Sequence, residues 1–205
     1  MKQQKVGIVD YEMGNTKSVL NAIRNIGGVA KIISNPDDFL SFDKLILPGV
    51  GAFGKAMRII NNTGMRSALD DFKKTGNYIL GICLGMQIMC SSSEEDENEV
   101  GLSWFPAKVQ ALEPKLGFNI PHMGWNNVDF QDEHFIFNNL KTSSDFYFLH
   151  GFCIPHLSDN FTLGLSHHSN SFSSVISREN LIGVQFHPEK SQSSGLKMLK
   201  NFVSA

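Results

Sequence analysis

The residue of this sequence with the plainest chemical potential is a cysteine held between two glycines at the end of an apolar run. In YILGICLGMQ, residues 78–87, the run Tyr78 to Ile82 leads into Cys83, flanked by Gly81 and Gly85. G-x-C-x-G at a strand-to-helix junction is the cysteine form of a nucleophile elbow, a turn so tight that glycines must flank the reactive residue. Such a turn lifts sulfur to the carboxyl edge of a sheet, where open α/β folds bind ligands. A helix starting at Leu84 would aim its positive end near the sulfur and favour thiolate, the nucleophilic form. A core cysteine in a glycine-tolerant turn would carry the same pentapeptide, so the chemistry needs partners.

A thiolate that attacks a carbonyl carbon needs a group to take and return a proton. The stretch GVQFHPEKS, residues 183–191, supplies an apolar strand followed by His187, Pro188 and Glu189. The strand places His187 at a sheet edge, and Pro188 stops its extension. Glu189, two residues on, can approach the imidazole, fix its tautomer and stabilise imidazolium. Attack on an amide also creates a negative oxygen that needs backbone donors. LPGVGAF, residues 47–53, ends another apolar run with two glycines. Its Val50 and Gly51 amides are candidate donors, together with that of Leu84 just after the cysteine.

The elements that must position these groups alternate. KVGIV (5–9) reads as a buried strand, and VAKII (29–33), KLIL (44–47) and YILGI (78–82) read as a second, third and fourth strand. Val19, Ala22, Ile23 and Ile26 fall at amphipathic-helix spacing after Asn15, and Gly27-Gly28 ends that helix. A helical stretch spans about 54–74 with a break near Thr63-Gly64, and LGMQIMC starts the helix after the fourth strand. Strand, helix, strand at these lengths implies parallel pairing under helices on both faces. The second half has strand-like runs at 104–111, 127–130, 146–150, 161–166, 172–177 and 181–186, separated by polar turns that imply antiparallel pairs. A last helix carries Leu196, Leu199, Phe202 and Val203, and SSSEEDENE (91–99) reads as a solvated loop.

With 205 residues, no internal repeat and no linker, the chain is expected to be one domain, 1–205. A net charge of −2 without a basic block argues against a nucleic-acid partner, and no apolar run reaches membrane-span length. The N-terminus, MKQQKVGIVD, lacks the apolar core of a secretory signal. Three widely spaced cysteines, Cys83, Cys90 and Cys153, fit a reducing cytoplasmic setting, with Cys90 and Cys153 as small core residues. No zinc-ligand spacing and no G-x-G-x-x-G after the first strand are present, so neither metal nor cofactor is expected.

Taken together and in this order, PGVGAF, GICLGMQ and QFHPEKS resemble the class I (triad) glutamine amidotransferases. DYEMGN (10–15), GLSWFPAKV (101–109) and PHMGWN (121–126) narrow the resemblance to the glutaminase subunits of imidazole glycerol phosphate synthase, over almost the whole chain. The resemblance implies a flavodoxin-like α/β fold with a mostly parallel central sheet, helices on both faces and some antiparallel strands in the second half. It implies hydrolysis of L-glutamine to glutamate and ammonia, with Cys83 as nucleophile, His187 as base and acid, and Glu189 orienting it. Gln87, Glu95, and the backbone at Gly151 and Phe152 match positions that hold glutamine, with Glu94 the obvious competitor for the role of Glu95. The partner implied is a (β/α)₈-barrel cyclase that receives ammonia and makes imidazole glycerol phosphate and AICAR. Asn15, Met123, Gly124, Trp125 and Asn126 match positions at or near that interface.

The sequence departs from the family pattern at Gly151-Phe152, where a hydroxyl and a phenol are usual, and at Glu12, where glycine is usual. Two other readings are compatible with the fold. One is a paralogue with the same triad that feeds a different synthase, such as a sugar amidotransferase of surface-polysaccharide assembly. The other is a catalytically inactive binding or regulatory subunit, against which the intact Cys83, His187 and Glu189 speak.

Overall fold

The structure, a computed structural model, describes residues 4–156 and 160–205; the first three residues of the N-terminal stretch considered above lie outside it. Its centre is five parallel strands in the order β2-β1-β3-β4-β12. They are β1 (Lys5–Val9), β2 (Val29–Ile33), β3 (Lys44–Gly49), β4 (Ile79–Cys83) and β12 (Leu181–Val184). Every residue of β3, β4 and β12 is buried. Both faces of these strands must therefore be covered, which is why they read as unbroken apolar runs instead of alternating ones.

Helices supply the cover. On one face lie α2 (Phe53–Asn62) and α3 (Met65–Lys74), through Phe53, Met57, Ile60, Leu69 and Phe72. On the other lie α1 (Thr16–Asn25) and α5 (Gln192–Ser204), through Val19, Ile23, Met198, Leu199 and Phe202. The break at Thr63-Gly64 is a left-handed residue, with Gly64 at φ 75. That conformation is open to glycine at little steric cost.

Beyond β12 the sheet continues antiparallel through β11 (Asn170–Arg178), β10 (Thr162–His168), β7 (His122–Phe130) and β8 (Ser143–His150). A side branch joins β5 (Cys90–Ser93), β6 (Phe105–Ala111) and β9 (Phe152–Pro155), the last also pairing with β11. Antiparallel pairing is thus more extensive than the sequence suggested. β7 begins five residues before the expected run and includes most of PHMGWN, whose mixed polarity hides a strand open to solvent on one side.

The helix expected after Cys83 is only α4 (Leu84–Gln87), four residues long. The chain leaves it because residues 101–105 take up carbonyls that a longer helix would use internally. Leu102 N–H donates to Ile88 O at 2.8 Å, Trp104 N–H to Met89 O at 2.9 Å and Ser103 N–H to Cys90 O at 3.2 Å. Ser91–Ser93, expected in a loop, therefore lies in β5.

Close backbone contact fixes the junction of β4 and α4. A Cβ on Gly85 would collide with the Leu47 carbonyl of β3, and one on Gly81 would lie 2.6 Å from Gly85 O. Gly151 has open space where a Cβ would stand. Gly85→Ala should therefore lower stability by roughly 1–3 kcal/mol or more in a denaturant titration, whereas Gly151→Ala should stay near wild type.

Candidate active site

β4 ends in Cys83, whose backbone sits at φ 54, ψ −109. A side chain at positive φ is strained, and such strain persists only where the surroundings over-determine it. Gly81 and Gly85 on either side let α4 turn back onto β3 closely enough to do this. The thiol is nearly buried, lies 3.7 Å from Leu149 O and receives Gln185 Nε2 at 3.6 Å. A helix of four residues has little macrodipole, so the thiolate must draw its stabilisation from neighbouring side chains rather than from α4.

The neighbour that matters is His187. It follows β12, the strand beside β4, and its backbone N–H donates to Tyr147 O at 2.8 Å. Pro188 opens a short 3-10 turn, Pro188–Lys190, that folds Glu189 back. Glu189 Oε1 and His187 Nδ1 are 2.9 Å apart, and both side chains are 2% exposed. Nδ1 therefore carries the proton toward Glu189. Nε2 is buried without a hydrogen-bond partner. Burial alone would push the imidazole pKa down, but the nearby Cys83 sulfur and the hydrogen bond and charge of Glu189 outweigh it and raise the pKa to about 10. At neutral pH the ring is therefore imidazolium, a positive charge beside the Cys83 sulfur. A thiolate, an imidazolium and a carboxylate so arranged can attack an electrophilic carbonyl and protonate its leaving group.

Cys83 opens into a cavity of about 390 Å³, a size suited to a small metabolite. Val50, Gly51, Leu84, Gln87, Glu95, Gly151 and Phe152 all line it. The structure thus brings together the residues expected as donors and as substrate contacts. A larger hollow of about 760 Å³ at the opposite end of the sheet, near Trp104 and Lys73, is lined by no cysteine and no histidine among the described residues. Gln87 is buried, donating from Nε2 to Phe152 O at 2.9 Å and to Gln185 Oε1 at 3.1 Å. Glu95 Oε2 accepts from Phe53 N–H at 2.8 Å, at the start of α2. That bond caps a helix whose own N-cap, Ala52, has no side-chain oxygen, and it fixes Glu95 at the cavity wall. Glu94 points elsewhere, to Ala111 N–H at 3.1 Å and Lys108 at 3.7 Å.

The donors at PGVG are not all aimed at the cavity. Val50 N–H is bonded to Met13 O at 2.6 Å. Gly51, at φ 105, shows that the loop already uses backbone freedom restricted to glycine.

The segments expected at a partner interface lie on the surface beside the cavity. Met123 is 63% exposed and Trp125 50%, so Trp125 is not a core residue. Trp125 meets the Tyr147 ring edge-on at 6.3 Å, and Lys190 holds its ammonium 5.7 Å from the same ring. Gly124 sits at φ 133 between them. Asn15 caps α1 through Ser18 N–H at 3.4 Å. Glu12 is exposed at φ 64, its N–H held by Asp10 at 3.0 Å.

Several residues escaped the sequence reading. Gln185 is fully buried and links Gln87 to Cys83. It lies two residues before His187, so strand alternation puts both on one face, a signal the sequence did carry. Ser191 Oγ donates to His187 O at 2.6 Å and accepts from Tyr147 N–H at 2.9 Å, securing the turn. His150 and His122 form a buried pair, Nε2 to Nδ1, at 2.9 Å. His150 Nδ1 must donate to Phe152 O at 2.9 Å, so its Nε2 accepts from His122 Nδ1; His122 Nε2 then accepts from Asn126 Nδ2 at 3.2 Å. These bonds tie the cavity wall to the exposed strand that carries Trp125. Among the described residues no cluster of His, Cys, Asp and Glu could hold a metal ion, and no helix is long and apolar enough to cross a membrane.

A strained cysteine elbow beside a buried His–Glu pair, at the carboxyl edge of a parallel sheet, is an arrangement suited to a thiol amidase. The model of the family "Glutamine amidotransferase class-I" matches residues 7–205. A Sulfurimonas denitrificans protein named imidazole glycerol phosphate synthase subunit HisH is 42% identical, over 97% of this chain and 97% of that one. The HisH subunit of Methanosarcina barkeri is 39% identical over 98% of each, and HisH 2 of Vibrio vulnificus 39% over 97% and 94%. In solved structures the fold recurs in PurLQS from Thermotoga maritima, with a TM-score of 0.77 at 16% identity over 98% of each chain. The chain belongs to the class I glutamine amidotransferase family, in its branch of imidazole glycerol phosphate synthase HisH subunits.

The histidine pair gives this site a measurable pH signature. Burial, with the charge of His168, pushes His122 down to about 4. Burial also dominates at His150, where the Phe152 carbonyl opposes it and the charges of His122, His168 and His187 add to it, leaving a pKa of about 3. Each ring binds protons more readily in the unfolded chain, so each contributes stability above its unfolded pKa of roughly 6.5 and loses it as pH falls toward 4 and 3. The melting temperature should drop across that interval, and His122→Gln should make the drop shallower. An acid limb unchanged by His122→Gln would contradict the neutral buried pair.

Proposed function

We propose that this chain hydrolyses L-glutamine at Cys83 and delivers the ammonia to a (β/α)₈-barrel cyclase, as the glutaminase half of a heterodimeric imidazole glycerol phosphate synthase. Family membership makes it a glutamine-hydrolysing enzyme subunit of histidine biosynthesis; the residue roles, the barrel and the route of ammonia are our reading. One observation carries it: a strained cysteine with a buried His–Glu pair beside it opens into a cavity that is also lined by Gln87 and Glu95.

The steps follow from that geometry. The Cys83 thiolate adds to the carboxamide carbon, and the carbonyl electrons move onto oxygen. Leu84 N–H, with a donor from PGVG, stabilises that oxygen. Collapse breaks the carbon–nitrogen bond as His187 gives its Nε2 proton to the departing nitrogen, leaving a γ-glutamyl thioester and ammonia. Neutral His187 then takes a proton from water as the water oxygen attacks the thioester, and glutamate leaves with the thiolate restored. Glu189 keeps the imidazole in one tautomer throughout. Glu95 is placed to pair with the α-ammonium of glutamine, and Gln87 sets the wall formed by the backbone of Gly151 and Phe152. The two departures from the family pattern at Gly151 and Phe152 leave that backbone in place.

Ammonia released into neutral water becomes ammonium and loses its lone pair, so it must pass directly to the acceptor. The exposed Met123, Trp125 and Lys190 surface next to the cavity fits a desolvated docking face for the cyclase, with Asn15, Gly124 and Asn126 beside it. Glu12 adds a charge that the partner must answer. Three free thiols and the need for a reduced nucleophile support a cytoplasmic setting in this reading, with one domain, 1–205, acting without cofactor, membrane or nucleic acid.

Cys83→Ala should abolish glutamine-dependent synthesis by the complex and leave ammonia-dependent synthesis intact; loss of both would mean that Cys83 serves folding or docking instead. Glu95→Gln should raise KM for glutamine about tenfold or more, the scale of a lost charge-assisted hydrogen bond, while Glu94→Gln stays within about twofold of wild type. Equal effects of the two changes on steady-state KM would remove Glu95 from the substrate site. Stimulation by a sugar amidotransferase in place of the cyclase would select the paralogue reading.

A further inference from the structure

Tyr11 lies close to Cys83, and the chemistry above gives it no task. Its side chain is 1% exposed, and its hydroxyl is buried without a hydrogen-bond partner. Native structures rarely leave such a group unsatisfied, because it loses water and gains nothing. Burial first, and the negative charges of Cys83 and Asp10 after it, hold the phenol above its ordinary pKa, so it stays protonated and remains a donor.

The hydroxyl packs on Gly49 where a side chain would otherwise begin. A Cβ on Gly49 would collide with Tyr11 Oη, and it would come within 2.8 Å of Leu84 Cβ and 3.2 Å of Gly85 N. Tyr11 therefore reaches the meeting point of PGVG and the elbow. Two residues further along the same loop, Met13 O holds the Val50 N–H at 2.6 Å. For Val50 to stabilise an oxyanion, that N–H must leave Met13 and turn toward Cys83. The peptide is rigid and trans, so its two ends turn together. As the N–H turns in, the Gly49 carbonyl swings to the side the N–H has left. There it faces another acceptor, Met13 O, and burial of two unpaired carbonyls is costly. A donor beside Gly49 would remove that cost, and the buried, unpartnered Tyr11 hydroxyl packs against Gly49.

We propose that Tyr11 is a positioning residue whose hydroxyl donates to the Gly49 carbonyl when the Gly49–Val50 peptide turns, and so holds the oxyanion hole in its working state. The inference rests on the glutaminase reading above. It explains why the hydroxyl has no partner in the resting chain: its partner is turned away. It also explains the glycine at 49, since any side chain there would displace the phenol.

Tyr11→Phe keeps the ring and removes only the hydroxyl. The test compares this variant, Cys83→Ala and wild type, each assembled with the cyclase and its ligand. Three quantities are read: melting temperature of the free subunit, kcat and KM for glutamate release. The expected result for Tyr11→Phe is a melting temperature equal to or above wild type, since an unsatisfied buried group is gone. With it should come a fall in kcat of roughly three- to tenfold, the scale of one net hydrogen bond, at unchanged KM. A merely structural phenol would not lower kcat while leaving stability and KM untouched. Full kcat, a loss carried by KM alone, or a lower melting temperature would each overturn the assignment. Glutamate release surviving in Cys83→Ala would instead bring down the glutaminase reading and Tyr11 with it. An inactive Cys83→Ala beside a fully active Tyr11→Phe would sink the Tyr11 role alone.

Discussion

The backbone of Gly85 rests against the Leu47 carbonyl with no room for a single carbon between them. Everything at the site depends on that contact. It brings α4 back over β3, which forces Cys83 to φ 54 and turns its sulfur out at the sheet edge. It also brings the PGVG loop beside the elbow, so that nucleophile and candidate oxyanion donors come from adjacent parallel strands in fixed register, Gly49 opposite Cys83. Parallel strands held on both faces by helices give the rigid platform such strain requires.

Given that platform, the electrostatics follow from burial. The Glu189 carboxylate and the His187 ring are almost fully enclosed, so their interaction is little screened and the imidazolium persists well above its usual range. A few residues away, His122 and His150 are enclosed with no carboxylate beside them among their hydrogen-bond partners, and both remain neutral. Three enclosed imidazoles thus take different charge states within one site, set by what each ring nitrogen faces. The neutral pair can then act as a directed chain of hydrogen bonds from Asn126 to the cavity wall, which a charged pair could not.

The parallel half of the fold was legible in the sequence because its strands are mostly apolar runs and its helices keep a 3.6-residue period. The antiparallel half was less so. β7 alternates irregularly, and β9 is four residues that begin directly after Gly151. The short α4 was misread because LGMQIMC has helical character locally; backbone donors from 101–105, remote in sequence, end it. At the site, Cys83, His187 and Glu189 stood out through glycine and proline punctuation. Gln185 was signalled only by its spacing two residues before His187, and Tyr11, a phenol next to an apolar run, gave no local sign of what it would face. Nor does sequence reveal which way a peptide points. Val50 was identifiable as a donor, but its engagement with Met13 is a property of the fold.

That engagement makes the central claim testable on the unmodified protein. With Val50 N–H bonded to Met13 O, the proposed nucleophile and base are in place but the proposed oxyanion hole lacks one of its donors. The decisive measurement is glutamate release from glutamine by the isolated chain, then by the same chain with the barrel cyclase and its ligand. The account predicts slow release alone and a rise of about a hundredfold or more with liganded cyclase, the scale of one oxyanion donor. Release at the same rate with and without cyclase would contradict it.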